Sequence, residues 1–170
     1  MRKIIQLLSG LLFLVLQSSF AQDTSSLQRV PYKLHIDVNK QTSYDENLPA
    51  ARFVNPNKSV QLYPGETVYL EAELTAGQIS KLRAVPAIRD SSKTILISFT
   101  QSSKKRVHEL MMLKVINPFS QTLSYKAMIL LLNQKKWEPT SILPVPAGLT
   151  GYETWQDIII SIGIGGWTLE

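Results

Sequence analysis

The chain has 170 residues, with 18 lysines and arginines against 13 aspartates and glutamates, and it has no cysteine. The missing cysteine excludes a disulfide framework, a thiolate zinc site, an iron–sulfur cluster and a cysteine nucleophile. The formal charge of +5 is a weak excess that is not gathered into a dense patch, so nucleic acid is not an expected partner.

Residues 1–21 have the pattern of a secretory signal peptide. Arg2 and Lys3 precede an apolar run over residues 4–16, and small residues, Ser19 and Ala21, stand where a signal peptidase cuts. We therefore predict cleavage after Ala21 and a periplasmic or secreted mature protein with no membrane span. The lack of cysteine in an exported chain favours a bacterial envelope protein.

After the signal peptide, residues 22–28 are polar and predict a flexible segment, and residues 29–170 predict a single domain. Apolar residues alternate with polar ones from Val30 to Val38, which is typical of a half-buried strand. Residues 39–51 predict a long polar connection, and residues 52–54 predict a short strand.

Residues 60–74 predict a β-hairpin around Pro64 and Gly65. Proline presets φ for the first central position of a turn, and glycine accepts the positive φ of the second. The segment from Pro64 to Val68 resembles the turn and strand of many bacterial immunoglobulin-like domains. That resemblance covers a short stretch and implies a fold class without functional residues.

Most of the remaining chain continues the same alternation; the apolar density of residues 107–116 would also suit a helical turn, but their length and flanking turns favour a strand. Pro86 interrupts the next apolar run, so we expect an edge strand or a bend there. The remaining strands are predicted over residues 94–99, 107–116, 123–131 and 154–164, with an extended, proline-containing segment over 137–145. About seven to nine strands without an amphipathic helix predict an all-β fold, an antiparallel β-sandwich of immunoglobulin-like or Greek-key type.

Catalytic chemistry is sparse in this sequence. His35 and His108 each fall on the polar side of a predicted strand, and a metal site joining them would need a third ligand that the sequence does not identify. Glu71 and Glu73 share one strand face, which indicates a solvated surface rather than a catalytic pair held across a cleft. We therefore predict no catalytic residue, no metal site and no cofactor, and a protein that is not an enzyme.

Aromatic residues near the C-terminus form the candidate ligand surface. Trp137, Tyr152 and Trp155 can stack on a sugar ring, and Glu153 and Asp157 lie beside them in sequence. The competing interpretation places the tryptophans, including Trp167, in the core or at the rim of the sandwich.

These observations predict a non-catalytic binding or envelope-interaction module. The expected partner is an envelope or extracellular protein that pairs with an exposed edge strand. One alternative is a carbohydrate-binding or glycan-processing protein that uses the C-terminal tryptophans. A second alternative is a small outer-membrane β-barrel, which the charged C-terminal Glu170 and the short predicted strands disfavour.

Overall fold

The computed structural model describes residues 26–170, so the predicted signal peptide and the first residues of the predicted flexible segment lie outside it. Within this range the chain is all β. Thirteen strands are present in residues 26–170: β1 (Gln28–Arg29), β2 (Tyr32–Asp37), β3 (Ser43–Leu48), β4 (Ala51–Arg52), β5 (Val60–Leu62), β6 (Glu66–Thr75), β7 (Gln78–Val85), β8 (Thr94–Lys104), β9 (Val107–Ile116), β10 (Leu123–Leu131), β11 (Glu138–Thr140), β12 (Thr150–Trp155) and β13 (Ile159–Leu169). The described part of the chain has no helix, and hence none that could cross a membrane.

Two antiparallel sheets form the predicted sandwich. One has the strand order β11-β10-β13-β5 and the other has the order β12-β9-β8-β6-β7. Every second residue of these strands points into a shared core, which includes Leu70, Phe99, Leu113 and Ile162, all fully buried. The all-β sandwich class is confirmed, whereas its immunoglobulin-like or Greek-key type stays a prediction.

The predicted hairpin over residues 60–74 is wrong. The turn at Pro64 and Gly65 is present, with Gly65 at a φ of 94°, but β5 and β6 belong to different sheets. The turn therefore carries the chain from one layer of the sandwich to the other. Alternation alone could not distinguish these cases, because both strands direct their apolar residues into the same core.

The predicted connection over residues 39–51 is also wrong in part, because it contains β3. This strand pairs with β2 along its full length, from Tyr32 opposite Leu48 to Asp37 opposite Ser43. Its Asp45, Glu46 and Asn47 are exposed, so the apolar alternation that marks a strand is weak. We call the β2–β3 pair the cover hairpin.

The cover hairpin has a small core of its own against the four-stranded sheet. Leu34, Ile36 and Leu48 of the hairpin pack with Ile160, which lies at a register shift between β13 and β10. Because of this bulge, the Ile160 side chain points outward from the main core. The hairpin therefore covers one half of the outer face of the four-stranded sheet and leaves the other half bare.

A buried ion pair fixes the chain where it enters the cover hairpin. The Nη2 atom of Arg29 donates to Oε2 of Glu66 at 2.9 Å and to the carbonyl oxygen of Gln61 at 3.0 Å. The guanidinium also lies over the rings of Phe53 and Tyr63, 5.0 and 4.8 Å from their centroids. Arg29 is in β1 and Glu66 begins β6, so this contact attaches the N-terminal strand to the sandwich.

Candidate functional site

The bare half of the four-stranded sheet contains an open, largely apolar groove of about 410 Å³. Its floor is β13, at Gly163 and Gly165. The register of the sheet places Met128 of β10 on one side of Gly163 and Gln61 of β5 on the other. Since the central strand has no outward side chains here, a channel is left between two strands that lie roughly 10 Å apart.

Trp137 stands at the edge of this channel. A Cβ atom built on Gly163 would lie 3.5 Å from Cζ3 of Trp137, so the indole packs directly over the glycine backbone. The Trp137 side chain is 38% exposed, and the neighbouring Met128 is 39% exposed. A half-exposed indole over a flat glycine floor presents an apolar surface on which a planar or ring-shaped ligand can stack. We call this site the Trp137 groove.

Polar groups line the opposite wall of the Trp137 groove. The Gln61 amide is held in place because its Nε2 donates to Oη of Tyr63 and to Oγ of Ser161, each at 3.0 Å. Asn55 and Ser59 continue the wall, and Lys126 is exposed at the other side. Within residues 26–170 the Lys126 ammonium forms no ion pair, and no carboxylate lines the groove. The site combines an apolar platform with fixed hydrogen-bonding groups and one positive charge.

The glycines of β13 also account for its shape. Gly166 has a φ of 65°, and it lies at a register shift opposite residues 124–126. A glycine with positive φ at a register shift is typical of a β-bulge. Gly163 and Gly165 have ordinary φ values, so the space above them, rather than backbone strain, distinguishes these two positions.

The structure places the other predicted ligand residues away from the Trp137 groove. Tyr152 is 58% exposed on β12, where it pairs with Lys114 in the five-stranded sheet. Trp155 packs against the main core, and its Nε1 donates to Oγ1 of Thr140 at 3.0 Å. Trp155 thus joins β12 to β11 and closes one side of the sandwich.

The two predicted carboxylates lie near Trp155 rather than near Trp137. Oε1 of Glu153 accepts a hydrogen bond of 2.7 Å from the backbone N–H of Leu143, so Glu153 holds the loop before β12. Asp157 is exposed in the turn between β12 and β13. Trp167 is buried and donates from Nε1 to the carbonyl oxygen of Lys58, which is the core position that we weighed for it.

The two histidines belong to different sheets and are linked through an exposed polar network. Nε2 of His35 lies 3.3 Å from Oδ1 of Asp37, whose backbone bonds to the Gln101 side chain, and Gln101 Nε2 lies 2.9 Å from Nδ1 of His108. His35 is also 3.0 Å from Asp45. The hydrogen bond to Asp45 raises the pKa of His35, and it is the main cause of a lowered pKa for Asp45.

This network connects the cover hairpin to the five-stranded sheet. His35 is half exposed, at 51%, and the Asp37 carboxylate is contacted by Ser103 near the end of β8 and by Arg106 in the turn to β9. Among residues 26–170, no group of three or more histidine, aspartate or glutamate side chains is arranged to hold a metal ion.

Sequence reasoning identified Trp137 but missed the other parts of the groove. A glycine inside a strand indicates a bulge or the close approach of another group. Gly163 and Gly165, which alternate at the end of the last predicted strand, therefore indicated that something lies close to the backbone there. Their neighbours across the sheet could not be predicted, because they depend on the register in which the strands pair. The chain matches no family model, no curated protein and no solved structure, so its function has to be inferred from the chemistry of its surfaces.

Proposed function

We propose that this protein is an exported, non-catalytic binding module that holds a glycan in the Trp137 groove. The observation that carries this proposal is the half-exposed indole of Trp137 over the bare backbone of Gly163. The apolar face of a sugar ring stacks well on such an indole, because both surfaces are flat and contain few polar atoms. The export signal predicted for residues 1–21 supports a location where glycans are met.

The walls of the groove suit the edge of the same ring. Sugar hydroxyls both donate and accept hydrogen bonds; the side-chain oxygen of Gln61 can accept one, and the Asn55 amide can both donate and accept. Because Tyr63 and Ser161 already hold the Gln61 amide, little side-chain entropy is lost when a ligand binds to it. The site needs no carboxylate pair for this role, and Glu153 and Asp157 lie elsewhere, which supports binding over glycan processing.

The expected protein partner at an edge strand receives less support from three of the four edges of the two main sheets, whereas the fourth edge, β12, has six residues. β5 and β11 have three residues each, which offers a short ladder to an added strand. At β7, the carbonyl oxygen of Ala84 already accepts from Leu27 and that of Ile79 accepts from Lys58 Nζ. Short and occupied edges are the usual protection against strand addition.

A glycan array followed by calorimetric titration of the best ligand tests the proposal. Trp137→Ala should weaken binding by about tenfold or more, since the stacking surface is removed. Tyr152→Ala is the matched control, because Tyr152 is an even more exposed aromatic on the other sheet. Circular dichroism melting of each variant shows whether the fold is kept.

A second variant fills the groove without removing the indole. A Cβ on Gly163 would already lie 3.5 Å from Cζ3 of Trp137, so the further atoms of a leucine would enter the space beneath the indole. Gly163→Leu should therefore displace the indole and lose the glycan, and circular dichroism melting shows whether the fold is kept. The proposal is wrong if no glycan on the array binds, or if binding survives both Trp137→Ala and Gly163→Leu.

A further inference from the structure

A second groove lies directly beside the Trp137 groove. It measures about 710 Å³ and runs between β4 and β7, with Arg52, Lys58 and Lys81 among its lining residues. Asn55 lines both grooves, so they flank one turn, residues 55–59. We call the second site the Arg52 groove.

The turn between the grooves is firmly built. The backbone N–H of Asn55 donates to the carbonyl oxygen of Ser59 at 2.8 Å, and the Asn55 side chain donates to Oγ of Ser59 at 3.0 Å. Lys58 ties the turn to β7 through Ile79, and to β13 because its carbonyl oxygen accepts from Trp167. A ligand crossing from one groove to the other would therefore pass over a surface that is already ordered.

The charges on this path are all positive. Three cations line the Arg52 groove, Lys126 lines the Trp137 groove, and no carboxylate lines either site. Lys81 is paired with Glu73 at 3.4 Å, and Lys58 donates to a backbone carbonyl, so part of this charge is shared. Arg52 is exposed on β4, and no ion pair to it is present within residues 26–170.

We infer that the ligand is an acidic oligosaccharide, with one ring on Trp137 and negatively charged rings in the Arg52 groove. This inference rests on the proposed function and specifies its ligand class. An aromatic platform alone does not distinguish neutral from acidic sugars. Arg52 and Lys126, which form no ion pair within residues 26–170, favour a chain that carries carboxylate, sulfate or phosphate groups.

The test uses two tetrasaccharides that differ only in charge. One is tetragalacturonate, and the other is the same tetramer after its carboxyl groups have been reduced to neutral hydroxymethyl groups. Calorimetric titration of the mature protein at about 0.05 M salt keeps surface attraction measurable. We expect tetragalacturonate to bind more tightly than the reduced tetramer, with the difference shrinking as salt is added.

Charge reversal locates the effect on the protein. Arg52→Glu should weaken tetragalacturonate binding by about two- to tenfold and leave the reduced tetramer unchanged. Lys104→Glu is the matched control, because Lys104 is an exposed lysine that does not line either groove. It lies at the end of β8, roughly 30 Å along that strand from its first residue, Thr94. Arg52→Gln, which removes the positive charge without adding a negative one, checks that the loss of binding follows charge rather than a folding defect.

Each outcome separates this inference from the proposed function. Equal binding of the two tetramers, or equal losses in Arg52→Glu and Lys104→Glu, would overturn the acidic ligand while leaving the Trp137 groove intact as a glycan site. Binding of neither tetramer also overturns the acidic ligand, and the glycan array then decides the proposed function by itself. Loss of both tetramers in Trp137→Ala, with loss of tetragalacturonate alone in Arg52→Glu, supports both.

Discussion

The two halves of the outer face of the four-stranded sheet differ sharply, although the same strand runs through both. In the covered half, Ile160 of β13 is buried beneath the cover hairpin. In the bare half, Gly163 and Gly165 of the same strand carry no side chain, and Trp137 and Met128 remain partly exposed.

If the proposed function holds, this difference lets one strand serve stability and binding at once. Outward aliphatic residues would form an exposed apolar patch if nothing covered them, and such patches promote association. The chain places isoleucine where the hairpin lies and glycine where it does not. The glycines leave space, and the single indole beside them supplies apolar contact in that space.

The largest expected effect comes from detaching the cover at Arg29. Arg29→Ala should lower the free energy of unfolding by about 3–5 kcal/mol, because Glu66 would remain buried without its partner. Urea denaturation measures this loss. The double variant Arg29→Met with Glu66→Leu should lose less than Arg29→Ala, since no charge is then left buried. An equal or larger loss in the double variant would contradict the role of the ion pair.

A matched pair of truncations compares the two halves directly. Ile160→Ala removes packing beneath the cover hairpin and should cost about 2–4 kcal/mol of unfolding free energy. Met128→Ala, in the bare half, should cost less than about 1 kcal/mol, because its side chain is already partly in water. Both are measured by urea denaturation. Equal costs would show that the bare half is as tightly packed as the covered half.

The smallest expected effect concerns the outer surface of the cover hairpin. The raised pKa of His35 means that its contact with Asp45 contributes stability fully below the unfolded pKa of about 6.5, and that this contribution is lost as pH rises through the folded pKa. The lowered pKa of Asp45 means that its contacts contribute to stability fully above its unfolded pKa of about 3.9. This contribution is lost as pH falls toward its folded pKa.

Nuclear magnetic resonance titration of the histidine rings measures this coupling. Asp45→Asn should bring the pKa of His35 down toward its ordinary value, because Asp45 supplies the main favourable hydrogen bond. Ser43→Ala, which removes another partner of the Asp45 carboxylate but keeps its charge, should shift His35 less. An unchanged His35 titration in Asp45→Asn would show that the contact does not persist in solution.

Several elements were predictable from the sequence because they depend on local pattern. Alternation predicted a strand over residues 123–131, and the length and flanking turns of residues 107–116 predicted another; they are present as β10 and β9. Pro86 indicated an edge strand or a bend, and β7, which ends just before it, is an edge of its sheet. The short β3 was missed because three of its six side chains are polar and exposed.

The candidate site was predictable only in part. Trp137 was selected together with Tyr152 and Trp155 because aromatic residues gather near the C-terminus and their rings can stack on a sugar. Trp155 and Tyr152 shared the same local features, yet one closes the edge of the sandwich and the other faces solvent on the opposite sheet. Their surroundings depend on which strands become neighbours, and residue type does not report that.

The amino-acid sequence by itself determined the all-β class and the inward or outward direction of most side chains, because strand geometry repeats every two residues. Tertiary structure decided the rest. It assigned β5 and β6 to different sheets, placed the cover hairpin over one half of β13, and brought Met128, Gly163 and Gln61 into one row. Those outcomes depend on pairings between residues that are distant in the chain, and local alternation does not specify which strands pair.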